Sequence, residues 1–201
     1  MDDTTSRPDF LTAYHRAVDQ LAGIVAGLGH ADAARPTPCP AYDIEHLVGH
    51  VLTGLRRSAR VAAGGDPFGE APLEVPAPDR TWGDQVRAEG DAAIAVWSDA
   101  DQDAVVAVPW GEVPGWAALA GYVQESTVHA WDLAVAVRDE VVNELGLDPS
   151  LAELAIGIAG RAIPDDARGV GEAFPFGPVQ PVPQGADAYT RLAALTGRPV
   201  C

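Results

Sequence analysis

The chain has 201 residues, 47% of them hydrophobic, and 29 acidic residues against 13 basic ones leave a formal net charge of −16. A surface that negative repels phosphate backbones and excludes a general nucleic-acid binder; every basic residue is an arginine, which also excludes a lysine Schiff base and a lysine-dependent phosphate loop. Cys39 and Cys201 are too few for a disulfide scaffold or a Cys-rich zinc site, and no apolar run approaches the roughly 20 residues that span a bilayer.

The acidic, polar start MDDTTSRPDF has no signal-peptide pattern, so a soluble, cytoplasmic protein of one domain (1–201) is expected. Phe10, Tyr14, Ala17, Leu21, Ile24, Val25 and Leu28 follow helical spacing and predict a first helix over 8–28. Ser6 serves as its N-cap, Pro8 lies in its first turn, and Gly29 stops it. In RPTPCPAYD, Pro36, Pro38 and Pro40 enforce an extended approach to Asp43, the N-cap of a second helix over 44–63. The Gly/Pro-rich stretch 64–80 predicts a long surface loop. Thr81 and Asp84 resemble a capping box that opens a third helix through Trp82, Val86, Ala93 and Trp97. The β-branched run AVVAV followed by turn residues predicts a short hairpin or extended crossover, after which a fourth helix spans 116–138. Asp148-Pro149 opens a fifth helix to Ile163. A Pro/Gly-rich segment over 164–184 and a short last helix over 186–195 close the chain. The class expected is mainly α: a four-helix bundle over about 8–140 with a C-terminal helical annex over about 141–201.

The fourth helix carries the chemistry. Ala118, Tyr122, Glu125, His129, Leu133 and Ala136 fall within about 40° of one line on it, and the opposite face, with Gln124, Thr127 and Arg138, is expected outside. A Glu and a His within an apolar inward stripe break the binary pattern, because a buried charge is costly unless paired or metal-bound. Their i, i+4 spacing lets one helix give a metal two ligands. The plainer alternative is that Glu125 pairs with an arginine and His129 is a satisfied core histidine.

A third ligand must come from a facing helix. The second helix has an apolar face centred on Ile44, Val51 and Leu55; His50 lies on its flank, whereas His46 sits further round and is expected in solvent. His15 and His30 read as surface residues. Two histidines and a carboxylate leave coordination positions open, the pattern of a working zinc site or of one for a comparable divalent metal.

The segments PTPCPAYDIEHLVGH, QESTVHAWDLA and FGPVQPVPQGADAYTRLAALTGRPV, in that order, closely resemble DinB-like proteins related to mycothiol-dependent maleylpyruvate isomerase. They resemble in particular an actinobacterial subgroup described as metal-binding, over residues 8–200. The pairing of D-φ-x-x-L-φ-x-H with E-x-x-x-H-x-W-D-L makes the resemblance specific. It implies a DinB-like four-helix bundle with a metal held at one end by His50, Glu125 and His129, and a low-molecular-weight thiol, mycothiol, as cofactor. The isomerase has a larger C-terminal domain, so its substrate is not carried over.

Other residues have plainer readings. Cys39, in the turn before the second helix, could have its pKa lowered by the helix dipole, but structural packing is the expected role. Asp132 could orient a ligand histidine, pair with Arg57, or form a plain interhelical ion pair. Tyr122 could line a pocket or fill the core, and Trp131 is expected to pack.

The function expected is that of a metal-dependent transferase or isomerase acting on a thiol and a small electrophile, with no nucleic-acid or membrane partner and with a homodimer compatible. Zinc is favoured; nickel and iron suit the same ligands. A metal-coordinated thiol loses its proton, and the thiolate would attack an electrophilic carbon, transferring to it or adding and leaving to isomerise a double bond. The alternatives are a non-catalytic metal-binding module, such as a stress-associated one, and a hydrolase using metal-activated water.

Overall fold

Five of the six α-helices among the described residues begin at a side chain that accepts one of the backbone N–H groups a helix leaves unpaired. In the computed structural model, which describes residues 7–69, 80–137, 146–169 and 176–200, these are α1 (Phe10–Val25), α2 (Ile44–Ala62), α3 (Trp82–Asp99), α5 (Pro149–Ala162) and α6 (Ala188–Leu195). Their caps are Asp9, Asp43, Thr81, Asp148 and Asp187. The first of these corrects the expected Ser6, which lies outside the described residues. Asp9 sits three residues before Thr12, close enough to accept its N–H, so Pro8 precedes the helix instead of entering it.

The sixth helix, α4 (Gly115–Val137), starts without a side-chain cap. It is entered from a two-stranded hairpin, β1 (Val105–Val108) and β2 (Gly111–Pro114), paired antiparallel from Val105↔Pro114 to Val108↔Gly111. The first N–H groups of α4, on Gly115 and Trp116, donate to the carbonyls of Ala104 and Gln102, so the chain before the hairpin does the work of a cap. The hairpin and its Pro109-Trp110 turn are thereby fixed over the start of α4.

Helices α1 to α4 pack around one core that includes Tyr14, Leu21, Leu47, Leu52, Trp97, Leu119 and Leu133. Trp97 is fully buried and its indole N–H donates to Ser58 Oγ at 2.8 Å. Gly90 lets α3 come close to α1, since a Cβ there would lie 2.3 Å from Val18 Cγ1. This is the mainly α bundle expected, with the hairpin before its fourth helix and a helical annex after it.

One expectation fails. Gln124 and Thr127, assigned to an outer face of α4, are buried, and Thr127 is wholly so. The annex covers that side: Val128 and Trp131 of α4 form a second core with Ala152, Ala155, Tyr189 and Leu192 of α5 and α6. A helix enclosed by two layers shows no dry-to-wet contrast around its axis, so the periodicity argument loses its outer reference there. Arg138, most of the predicted loop (70–79) and part of the second Pro/Gly segment (170–175) lie outside the described residues. The described part of that segment includes a single 3-10 turn, Asp165–Ala167. No helix among the described residues is long and apolar enough to cross a membrane.

Candidate metal centre

Asp43 sets the rotation of α2. Its carboxylate accepts from the His46 N–H at 3.0 Å and lies 2.6 Å from His46 Nδ1, which holds that imidazole outside, 70% exposed. One turn further on, His50 faces α4. Its Nε2 lies 2.9 Å from Glu125 Oε1, and His129 Nε2 lies 3.6 Å from the same oxygen. The two imidazole planes cross at 84° with centroids 5.1 Å apart. One ligating atom from each of His50, Glu125 and His129 falls within 4.8 Å of the others. The expected alternative of a Glu125–arginine pair is not what forms, for Glu125 meets the two histidines. His15 pairs with Asp19 on the surface, and His30 is exposed against the edge of Trp82.

Each histidine is braced on its far nitrogen. His129 Nδ1 lies 2.9 Å from Asp132 Oδ2, and the Arg198 guanidinium grips both carboxylate oxygens of Asp132, Nη2 at 2.9 Å and Nε at 3.2 Å. All three groups are buried. Because Asp132 answers a permanent cation it stays ionised, and an ionised carboxylate only accepts. His129 Nδ1 therefore carries the proton and donates it, leaving Nε2 to face Glu125. On the other side, Tyr42 stacks on His50, 5.0 Å between centroids, with its hydroxyl 3.4 Å from Nδ1.

Desolvation works against the charge on each of these groups, but the hydrogen bonds and opposite charges around them outweigh it. Glu125 is held well below the usual carboxylate range by His129 and His50. Asp132 is lowered by His129 and Arg198, and His129 is raised to about 9 by Asp132 and Glu125. The proton on the His129–Glu125 pair thus occupies the electrostatic place that a cation takes when three such donors close on one.

Beside this cluster lies a cavity of about 40 Å³, lined also by Tyr122, Arg57, Trp110 and Gly54. At about 10–15 Å³ for each water it has room for about three waters. Trp110, half exposed at the hairpin turn, stands edge-on to Tyr122 at 5.9 Å. Gly121 makes room for it, since a Cβ there would lie 2.8 Å from Trp110 Cζ2. Tyr122, which the sequence left between pocket and core, does both: it is 5% exposed and lines the cavity.

Arg57 does not pair with Asp132 as one reading had it. It lines the cavity and its Nε donates to the Pro67 carbonyl at 2.9 Å. The true partner, Arg198, is 66 residues from Asp132 in a tail without helical period, so no spacing rule reaches it. Tyr42 was missed as well, though its place in the PAYD turn one residue before the α2 cap was a usable signal. Trp131 packs under the annex, as expected. Burial pushes the half-buried Cys39 thiol up, overriding nearby Arg198, so the dipole-lowered thiol is not found. Cys201 lies outside the described residues.

A family model described as the mycothiol maleylpyruvate isomerase N-terminal domain matches residues 14–134. Two Mycobacterium tuberculosis proteins, Uncharacterized protein MT0763 of strain CDC 1551 / Oshkosh and Uncharacterized protein Rv0738 of strain ATCC 25618 / H37Rv, are each 32% identical over 193 residues, covering 96% of this chain and 99% of theirs. Among solved structures, mycothiol-dependent maleylpyruvate isomerase superposes with a TM-score of 0.52 at 14% identity, over 79% of this chain and 70% of that one. A histidine-to-alanine mutant of that enzyme gives 0.56 at 13% identity with the same coverage. At such identities the likeness carries the fold alone.

Proposed function

The chain belongs to the mycothiol maleylpyruvate isomerase N-terminal domain family, and from that premise we propose that it binds one divalent metal through His50, Glu125 and His129 and acts as a transferase or isomerase on a low-molecular-weight thiol and a small electrophile. The observation that carries this reading is the convergence of the three donors within 4.8 Å at the wall of a cavity. The donor set suits zinc first, with nickel and iron accepted by the same ligand types. Three protein ligands leave positions open for a reactant, as in a working metal site.

Bound there, a divalent cation supplies the positive charge that keeps a thiol ionised at neutral pH. The chain's own residues do the rest. Asp132, fixed by Arg198, holds the His129 ring in the tautomer that turns Nε2 inward, and Tyr42 keeps the His50 ring from swinging out. Such supporting contacts are worth about 10–100-fold in metal affinity. The cavity beside the donors gives the sulfur of a thiol a route to the cation. A cavity beside the donors also favours a reacting centre over a purely metal-storing module. We further take the 201 residues as one domain working in the cytoplasm, where low-molecular-weight thiols are kept reduced.

The test is incubation of zinc-loaded protein with mycothiol and an electrophilic dye. Thiol consumption above the protein-free rate, lost in His50→Ala, is the expected result. A protein carrying one equivalent of zinc that consumes no thiol contradicts the thiol reading and favours the binding module.

A further inference from the structure

The cavity has a second pair of polar groups that the metal reading does not use. Tyr122 is 5% exposed, and its hydroxyl has no hydrogen-bond partner among the described residues. A buried hydroxyl left unpaired costs about 1–3 kcal/mol, so its position on a cavity wall is a demand for a ligand atom. Arg57 lines the same cavity with its Nε on the Pro67 carbonyl, and no carboxylate of the described residues answers its guanidinium. Several other arginines are matched to acids, as Arg7 is to Asp103, Arg56 to Glu89 and Arg87 to Asp19. An arginine that no acid of the described residues answers, and that lines a cavity, is placed to receive an anion.

The spacing gives the pair a definite relation to the metal donors. Arg57 follows His50 by seven residues on α2, and Tyr122 precedes His129 by seven on α4. Seven residues are two helical turns, about 10 Å of axis, and they return each side chain to its helix's cavity face. The cavity therefore has two rungs: the donor cluster, and an arginine–tyrosine pair further along.

We propose that Arg57 and Tyr122 form a carboxylate-binding subsite, so that one reactant brought to the His50/Glu125/His129 centre carries a carboxylate group. The guanidinium gives paired N–H donors to the two oxygens, and the Tyr122 O–H gives a third hydrogen bond. This deepens the proposed function and rests on it for the identity of the reacting centre. The carboxylate can belong to the electrophile or to the thiol, and the recognition chemistry is the same.

Calorimetric titration at neutral pH separates these sources. Crotonate against crotonamide tests the electrophile, and 3-mercaptopropionate against 3-mercaptopropionamide tests the thiol. Each pair is titrated into zinc-loaded and EDTA-treated protein, with zinc content measured on every sample. The expected result is that the acid of at least one pair binds about ten- to a hundredfold tighter than its amide, with and without zinc. That preference is lost in Arg57→Gln and weakened in Tyr122→Phe. The second variant removes an unpaired oxygen only, so it folds even if the first does not. Equal binding of acid and amide by a zinc-loaded parent overturns the subsite and leaves the metal reading intact. An acid preference that needs zinc and survives both substitutions also overturns it, because the carboxylate is then on the cation. A parent that holds no zinc yet keeps the acid preference supports the subsite while contradicting the metal reading.

Discussion

His129 and Asp132 stand almost one turn apart on α4, with Nδ1 of the imidazole 2.9 Å from a carboxylate oxygen that Arg198 holds from the other side. This contact gives the inward nitrogen its direction, and Asp132 also neutralises a buried guanidinium. Asp132→Asn removes both effects. It is expected to weaken zinc binding about 10–100-fold and to destabilise the fold by about 3–5 kcal/mol, because Arg198 is left as an uncompensated buried charge. Chelator-competition titration and urea unfolding read the two losses separately, and unchanged zinc affinity would contradict the bracing role.

His46 and His50 differ in function although both are one turn apart on α2. His46→Ala is expected to keep the parent's metal content, since its ring pairs with Asp43 in solvent, whereas His50→Ala loses the metal. Elemental analysis of protein purified without chelator decides it; loss of metal from His46→Ala with retention in His50→Ala would reverse the assignment.

Asp148 caps α5 and pairs with Arg16. Burial opposes its ionisation, but bonds from Ser150 and Arg16 win, and its carboxyl is held below the usual value. A lowered folded pKa contributes stability above the unfolded value, about 3.9, and that contribution is lost as pH falls through the folded one. Asp148→Ala should therefore cost about 1 kcal/mol at neutral pH, and the gap to the parent should close as the pH drops below about 4. A gap of constant size across that range is the contrary outcome.

Gly121→Ala tests whether Trp110 is a movable cover. The added methyl meets the Trp110 ring, which is half exposed and able to yield, while a helical Gly→Ala change gains about 0.5–1 kcal/mol. The variant should be as stable as the parent or slightly more so, with stronger acrylamide quenching of tryptophan fluorescence. A loss of more than about 2 kcal/mol would mean the ring is locked in place.

The legible parts of this protein were those written in local spacing. Glu125 and His129 stood out because a charge and an imidazole interrupt an apolar stripe, and Asp43 fixed the rotation that turns His50 inward and His46 outward. The outer face of α4 was misread because Gln124 and Thr127 are polar yet lie under the annex, where Thr127 satisfies its hydroxyl on the Val123 carbonyl of its own helix. Arg198 and the carbonyl of Pro67 that holds Arg57 come from segments with no repeat, and their partners are set by tertiary packing alone. The first helix starts later than a Ser6 cap implies because Asp9 accepts the Thr12 N–H.

The central claim is that His50, Glu125 and His129 hold a divalent cation, and thermal melts of the parent and Glu125→Gln in EDTA and in zinc test it most directly. Binding only to the native state stabilises the parent by about 2.7 kcal/mol at a hundredfold excess over Kd, a rise of roughly 5–10 °C in Tm for a chain of this length. Glu125 keeps 43% side-chain exposure, so Glu125→Gln should shift the EDTA melt by no more than about 1 kcal/mol. The same substitution removes the anionic ligand, so its melting temperature should not respond to zinc. A parent that ignores zinc, or a variant that rises with zinc as much as the parent, would contradict the metal centre.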